Sequence, residues 1–229
     1  MTGSSMRIAR RTALRGGALL AAGLSAPAIL RAQGTPLLLG VLTPLTGAGG
    51  ADGPRMLRAI QAVGLEINAA GGVLGRPVTF SVEDDETNPE SAVRAAHKLI
   101  DVDKVPVIMG TWASAVTSAV APVCWESKTF LTTTSGADGI TRLPHQGYLI
   151  RTQPNNYLQG AKHAEFIAGT GAKRVAMMSI QSPFAIPTQT RVKEVLAQHG
   201  AELVSTLIYE KDKTSYRSKR TRRCGRSRS

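Results

Sequence analysis

Residues 37–82 read LLLGVLTPLTGAGGADGPRMLRAIQAVGLEINAAGGVLGRPVTFSV and hold one full cycle from strand signal to helix signal and back. Leu37 to Thr43 is a short apolar run closed by Pro44 and Gly47, which has the length and flanks of a buried strand. Pro54 opens a helix at a position where its missing N–H costs nothing. Met56, Leu57, Ile60, Val63, Gly64 and Ile67 then recur every three or four residues, predicting one apolar helix face that Gly71-Gly72 terminates. Val78, Phe80 and Val82 alternate and predict a second strand with these side chains inward.

The same cycle repeats outward along the chain. A helix follows Asn88-Pro89-Glu90 with Val93, Ala96, Leu99 and Ile100 on its buried side, and lone His97 flanks it without a ligand role. Strands are predicted at 105–109, 129–132, 148–151, 174–180 and 202–208. Helices are predicted at 114–125 (with Pro122 inside), 155–168 and 188–199. Strands separated by helical patterns imply βαβ units with right-handed crossovers. They give an α/β protein with parallel sheet flanked by helices on both faces.

Charge follows from position. The 229 residues carry 28 Lys+Arg against 16 Asp+Glu, a net +12. Five of those basic residues lie in the first 33 positions and seven in the last 14, neither stretch containing an acid. The body is therefore neutral, which removes the nucleic-acid reading that the total invites. At the front, Arg7 to Arg15 form a basic region before the apolar run Gly16 to Leu30. Ala26-Pro27-Ala28 and Arg31-Ala32 offer cleavage sites, so residues 1–32 read as an export signal. Arg10-Arg11 with Leu14 and Arg15 resemble a twin-arginine signal, although Ala9 and Ala13 depart from it. The location expected is the periplasm. Cys124 and Cys224 make no framework, and Cys124 reads as a small buried apolar residue.

Ligands of open parallel sheets bind beyond the carboxyl ends of the strands. Those ends carry 43–53 after the first strand, Gly110-Thr111-Trp112-Ala113-Ser114 after the third and Thr132-Thr133-Thr134-Ser135-Gly136 after the fourth. Ser114 and the free N–H groups of a helix start suit a carboxylate, with Trp112 as a wall. The same residues also fit plain helix capping by Ser114 and ordinary turn chemistry in the Thr run. A rival reading takes Gly47, Gly49 and Gly53, with Glu83 or Asp85 after the second strand, as the dinucleotide loop of an exported oxidoreductase. Against it stand the length of the loop, Pro44 inside it and the lack of any acid–base constellation.

The stretches Gly40 to Gly47, Ile67-Asn68 through Gly71-Gly72 to Gly75-Arg76-Pro77, Asp84-Asp85 with Asn88-Pro89, Val107 to Gly110 with Ser114, and Tyr148 to Thr152 follow a recognisable order. In that order they resemble the branched-chain amino-acid binding family of periplasmic solute-binding proteins, which feed ABC importers. The resemblance covers about Leu37 to Tyr216. It implies the type I fold of two α/β lobes closing on a ligand, with 33–152 as a nearly complete first lobe and 153–215 as a partial second.

It further implies that Ser114 holds a ligand carboxylate beside Trp112 and Ala113, and that Thr134 offers a backbone carbonyl to an amino group. Ser135 would substitute for the Thr hydroxyl the family has where Gly136 stands. Phe184 would close over the ligand without the –OH of the usual Tyr, and Asp52 stands where the family has an aromatic residue. The ligand expected is an amino acid of branched-chain type or a similar small carboxylate. The partners expected are the permease subunits, with no nucleic acid, no cofactor, no metal and no enzymatic activity. Contact with the membrane runs only through the permease or an uncleaved signal. A ligand-sensing module on the same fold is the remaining alternative. From Arg217 the resemblance stops, and 216–229 read as a disordered basic tail, out of frame, with weak or absent binding expected of a chain so shortened.

Overall fold

A computed structural model of the protein describes residues 34–210. The expected export signal and basic tail lie outside those residues. The first sheet contains β1 (Leu37–Thr43), β2 (Val78–Asp84), β3 (Val107–Gly110), β4 (Phe130–Thr133) and β5 (Leu149–Arg151). Its order is β2-β1-β3-β4-β5, and every pairing is parallel. Three helices connect the first four strands: α1 (Gly53–Ala69), α2 (Pro89–His97) and α3 (Ser114–Glu126). Strand order reverses between β1 and β3, so the loops leaving these neighbours diverge and open a crevice at the carboxyl edge.

Right-handed connections place α2 and α3 together on one face, with α1 opposite. The main core lies on the α2–α3 face, where Leu42, Ile108 and Leu131 meet Ala96, Leu99, Val116, Val120 and Cys124. Gly40 lets this layer close: a Cβ there would stand 3.1–3.3 Å from Val105, Leu99 and Ile108. Burial pushes the Cys124 thiol up to about 12, which fits an inert core residue. The other face differs from the expectation of two covered faces. Only Gly53 and Gly64 of α1 are buried, and Val63 is 54% exposed although its spacing predicted an inward position. Helical periodicity reports that a helix has an apolar side, not that a partner covers all of it.

After β5 come α4 (Asn156–Gly169), β6 (Arg174–Ile180), α5 (Ala185–Gln198) and β7 (Glu202–Tyr209). Strands β6 and β7 pair in parallel, and both helices pack on one side around Ala164, Val192, Val195 and Leu196. Helix α5 starts at Ala185, earlier than the apolar pattern predicted, because Pro187 falls inside the first turn where it needs no acceptor. The opposite side of the pair is open, with Met178 and Val204 exposed. No described helix is long and apolar enough to cross a membrane.

Candidate functional site

The glycine-rich loop after β1 is occupied by its own fold. The Asp84 carboxylate accepts from Leu45 N (2.9 Å), Thr46 N (3.2 Å), Thr46 Oγ1 (2.6 Å) and Glu86 N (2.8 Å). Burial opposes ionisation of Asp84, but these hydrogen bonds outweigh it and hold the carboxyl below its ordinary range. A phosphate would have to displace this anion. The glycines serve close packing instead. A Cβ at Gly47 would stand 2.1 Å from Glu86 O, and one at Gly53 1.9 Å from Pro44 O. Gly49 admits Pro44 and the Trp112 ring, and its N–H donates to Thr87 Oγ1 at 2.8 Å. The dinucleotide reading therefore loses both its donors and its space.

The loop after β3 is built differently. Gly110 has φ +124° because a Cβ would stand 2.2 Å from Leu42 O, and the next residue, Thr111, has φ +55°. A β-branched residue rarely adopts that conformation, and it persists only where surroundings over-determine it. Here they do. Thr111 N donates to Leu42 O at 2.7 Å, Thr111 Oγ1 to Thr133 Oγ1 at 2.9 Å, and the Thr111 carbonyl accepts from Thr133 Oγ1 at 2.7 Å. Thr117 and Ser135 complete this buried hydroxyl cluster through a direct contact between their side chains.

That cluster aims the strained loop into the start of α3. The helix is capped by Ala113, which has no side-chain acceptor, so Ser114 sits in the first turn and does not cap. Ala is a poor N-cap, and leaving the first N–H groups unpaired costs about 1 kcal/mol relative to Ser or Asp. Ser114 is 7% exposed; its Oγ accepts from Ala137 N at 3.3 Å and its own proton has no acceptor among the described residues. Two more helix starts meet the same loop. Asn156 N at the head of α4 donates to Gly136 O at 2.8 Å, and Asn156 Nδ2 donates to Phe184 O, the N-cap of α5, at 3.2 Å. Three helix starts thus meet around 136–137, and among the described residues α3 and α5 both lack a side-chain cap, whereas Asn155 caps α4.

The residues expected from sequence fall around this point with unequal freedom. Trp112 is 40% exposed, its ring against the loop after β1. The Ala113 carbonyl is engaged by Thr117 N at 3.0 Å. Thr134 keeps a carbonyl with no partner among the described residues, whereas its hydroxyl, also unpartnered, is buried. Ser135 does not substitute for the hydroxyl missing at Gly136. It is fully buried, and its Oγ donates to Trp112 O at 3.0 Å. Gly136 lies under the Phe184 ring, where a Cβ would stand 2.6 Å from Phe184 Cε2. Asp52 sits at the head of α1 with Arg55 at 4.0 Å.

Arg151 was missed by motif reasoning. It ends β5, and its Nη1 donates to Ala137 O at 3.1 Å, across the same peptide segment whose N–H meets Ser114. It pairs with no carboxylate among the described residues. Its place at a strand's carboxyl end was the available signal. The arrangement suits an anion small enough to take two or three N–H groups, and no metal cluster of His, Cys, Asp and Glu occurs among the described residues.

The profile of the periplasmic binding proteins matches residues 36–218. The Leu/Ile/Val-binding protein BraC3 of Rhizobium johnstonii is 29% identical over 180 residues, covering 77% of this chain and 48% of that protein. A solute-binding protein of an ABC transporter from Rhodopseudomonas palustris, solved with 3,4-dihydroxybenzoic acid, is 26% identical with a TM-score of 0.68, over 77% of this chain and 47% of that one. The branched-chain amino-acid transporter protein LivJ of Streptococcus pneumoniae, solved with isoleucine, shares the fold at a TM-score of 0.74 and 21% identity, over 83% of this chain and 54% of that one. The chain spans about half the length of these proteins.

Proposed function

This chain belongs to the periplasmic binding protein family, and from that premise we propose that it is the extracytoplasmic ligand-binding component of an ABC importer. Its ligand is a small carboxylate held between the two α/β parts, and its macromolecular partner is the importer's permease. The ligands of the two solved neighbours, isoleucine and a dihydroxybenzoic acid, have a carboxylate in common.

One observation carries the reading: among the described residues the start of α3 has no side-chain cap, and Ser114, whose proton has no acceptor there, stands in its first turn. A carboxylate there would accept from the Ser114 hydroxyl and the α3 N–H groups, the cap that the sequence withholds. The convergence of α4 and α5 on Gly136 gives the second part a route to close over it.

Isothermal titration of the chain against amino acids and simple organic acids tests this. Carboxylate binding is expected, against the weak or absent binding read from the sequence, with Ser114→Ala weakening it by about tenfold, the value of one hydrogen bond to a charged group. Heat signals for neutral sugars and none for any carboxylate would sink the proposal.

A further inference from the structure

We infer that Arg151 is a positioning residue for the Ser114 hydroxyl, acting through the backbone of Ala137 rather than by touching the ligand. The inference rests on the carboxylate reading above and concerns how the Ser114 proton is kept free for that carboxylate.

The loop after β4 is suspended between two partners. Its N–H groups face the β3 loop and the start of α3: Thr134 N donates to Thr111 O at 3.3 Å, and Ala137 N to Ser114 Oγ at 3.3 Å. Its carbonyls are taken by the stretch that leads from β5 into α4. Thr133 O accepts from Thr152 N at 2.9 Å and Thr152 Oγ1 at 3.2 Å, Gly136 O from Asn156 N at 2.8 Å, and Ala137 O from Arg151 Nη1 at 3.1 Å. Residues 151–156 therefore fix the shape of 133–137, and that shape decides where the Ala137 N–H points.

The direction of that N–H matters because a serine hydroxyl has one proton and rotates to suit its partners. Later hydroxyls of α3 turn back onto the helix: Thr117 Oγ1 donates to Ala113 O at 3.3 Å, and Ser118 Oγ to Ser114 O at 2.9 Å. Ser114 stands in the first turn, where no helical carbonyl lies four residues behind it. Its orientation is set by Ala137 N instead, which occupies a lone pair of Oγ and leaves the proton with no acceptor among the described residues. Of the three anchors from 151–156, Arg151 holds Ala137 itself and is the charged donor, and charge-assisted hydrogen bonds are the stronger kind. A salt bridge would be the ordinary role for this guanidinium. Asp138 is the next residue and keeps a buried Oδ1 without a hydrogen-bond partner among the described residues, yet Arg151 holds the Ala137 carbonyl.

A double-mutant cycle on the intact chain tests the inference, read by competition in saturation-transfer NMR with acetate, benzoate and leucine as probes. Ser114→Ala and Arg151→Met are each expected to weaken the tightest-binding probe by about tenfold, and the double variant by no more than about twofold beyond Ser114→Ala alone. A multiplicative cycle, with the double variant weakened by about a hundredfold, overturns the inference. Arg151 then acts on the ligand or on the fold and not through Ser114, and the carboxylate reading stands. Parent-like affinity in Arg151→Met overturns it equally. Should Arg151→Met fail to fold, Arg151→Lys, whose shorter side chain reaches the Ala137 carbonyl less well, enters the same cycle and is judged by the same additivity. Absence of binding by all three acids to the parent chain overturns both the inference and the reading it rests on.

Discussion

Asp85 follows β2 with a fully buried carboxyl whose Oδ1 accepts from Thr87 N at 2.7 Å and whose Oδ2 has no partner among the described residues. Burial pushes its pKa up from 3.8 to about 6, the Thr87 hydrogen bond working against that and the Asp84 charge adding to it. A raised folded value means that the native state binds the proton more tightly than the unfolded chain. The stabilising contribution is therefore complete below the ordinary value of 3.8 and is lost as pH rises through about 6. Asp85→Asn keeps the acceptor for Thr87 and removes the titration. Its thermal midpoint should gain on the parent's as pH rises across that window, and parallel midpoint curves would refute the assignment. At the same scale, the sequence made Ser114 visible as a hydroxyl at a helix start but not its role. Whether Ser114 caps or sits inside the first turn depends on the φ and ψ of Ala113 and Thr111, which the buried hydroxyl cluster sets from residues more than twenty positions away.

Among the elements, α2 was the most legible, because its signals are local. Asn88 Oδ1 accepts from Glu90 N at 2.8 Å and Ser91 N at 3.1 Å, and Pro89 follows in the first turn. Asn88→Ala should destabilise the protein by about 1 kcal/mol in chemical denaturation, without altering ligand selectivity. A loss indistinguishable from zero would mean that tertiary packing alone holds this start. Helix α1 shows the converse. Its apolar spacing was clear, yet its closest approach to the sheet depends on a glycine: a Cβ at Gly64 would stand 2.5 Å from the Phe80 ring. Gly64→Ala gains helix propensity but must move that ring, and an overall loss of about 1–3 kcal/mol is expected in the same measurement. A gain would show that α1 floats free enough to shift.

Over the whole molecule, the described residues leave large apolar side chains on the outside: Phe166 is 77% exposed, Met178 66% and Leu65 71%. Exposed apolar side chains promote association where they are contiguous. Met178→Lys with Val204→Lys, on the open side of the β6–β7 pair, should shift the chain toward the monomer in sedimentation velocity, and an unchanged distribution would argue that this side does not self-associate. The alternation of strands and helices, the parallel sheet and the family kinship of the carboxyl-edge loops were determined by the sequence itself. Those properties follow from apolar periodicity, proline and glycine punctuation, and short motifs, each confined to one stretch of chain. Only the tertiary structure decided that Asp84 fills the glycine-rich loop, that Ser135 is sealed beneath Trp112, that Arg151 borders Ala137, and that the Phe184 ring requires Gly136. Each of these joins residues from different strands or helices, and which donor meets which acceptor is fixed by the packing that brings them together rather than by neighbours in sequence.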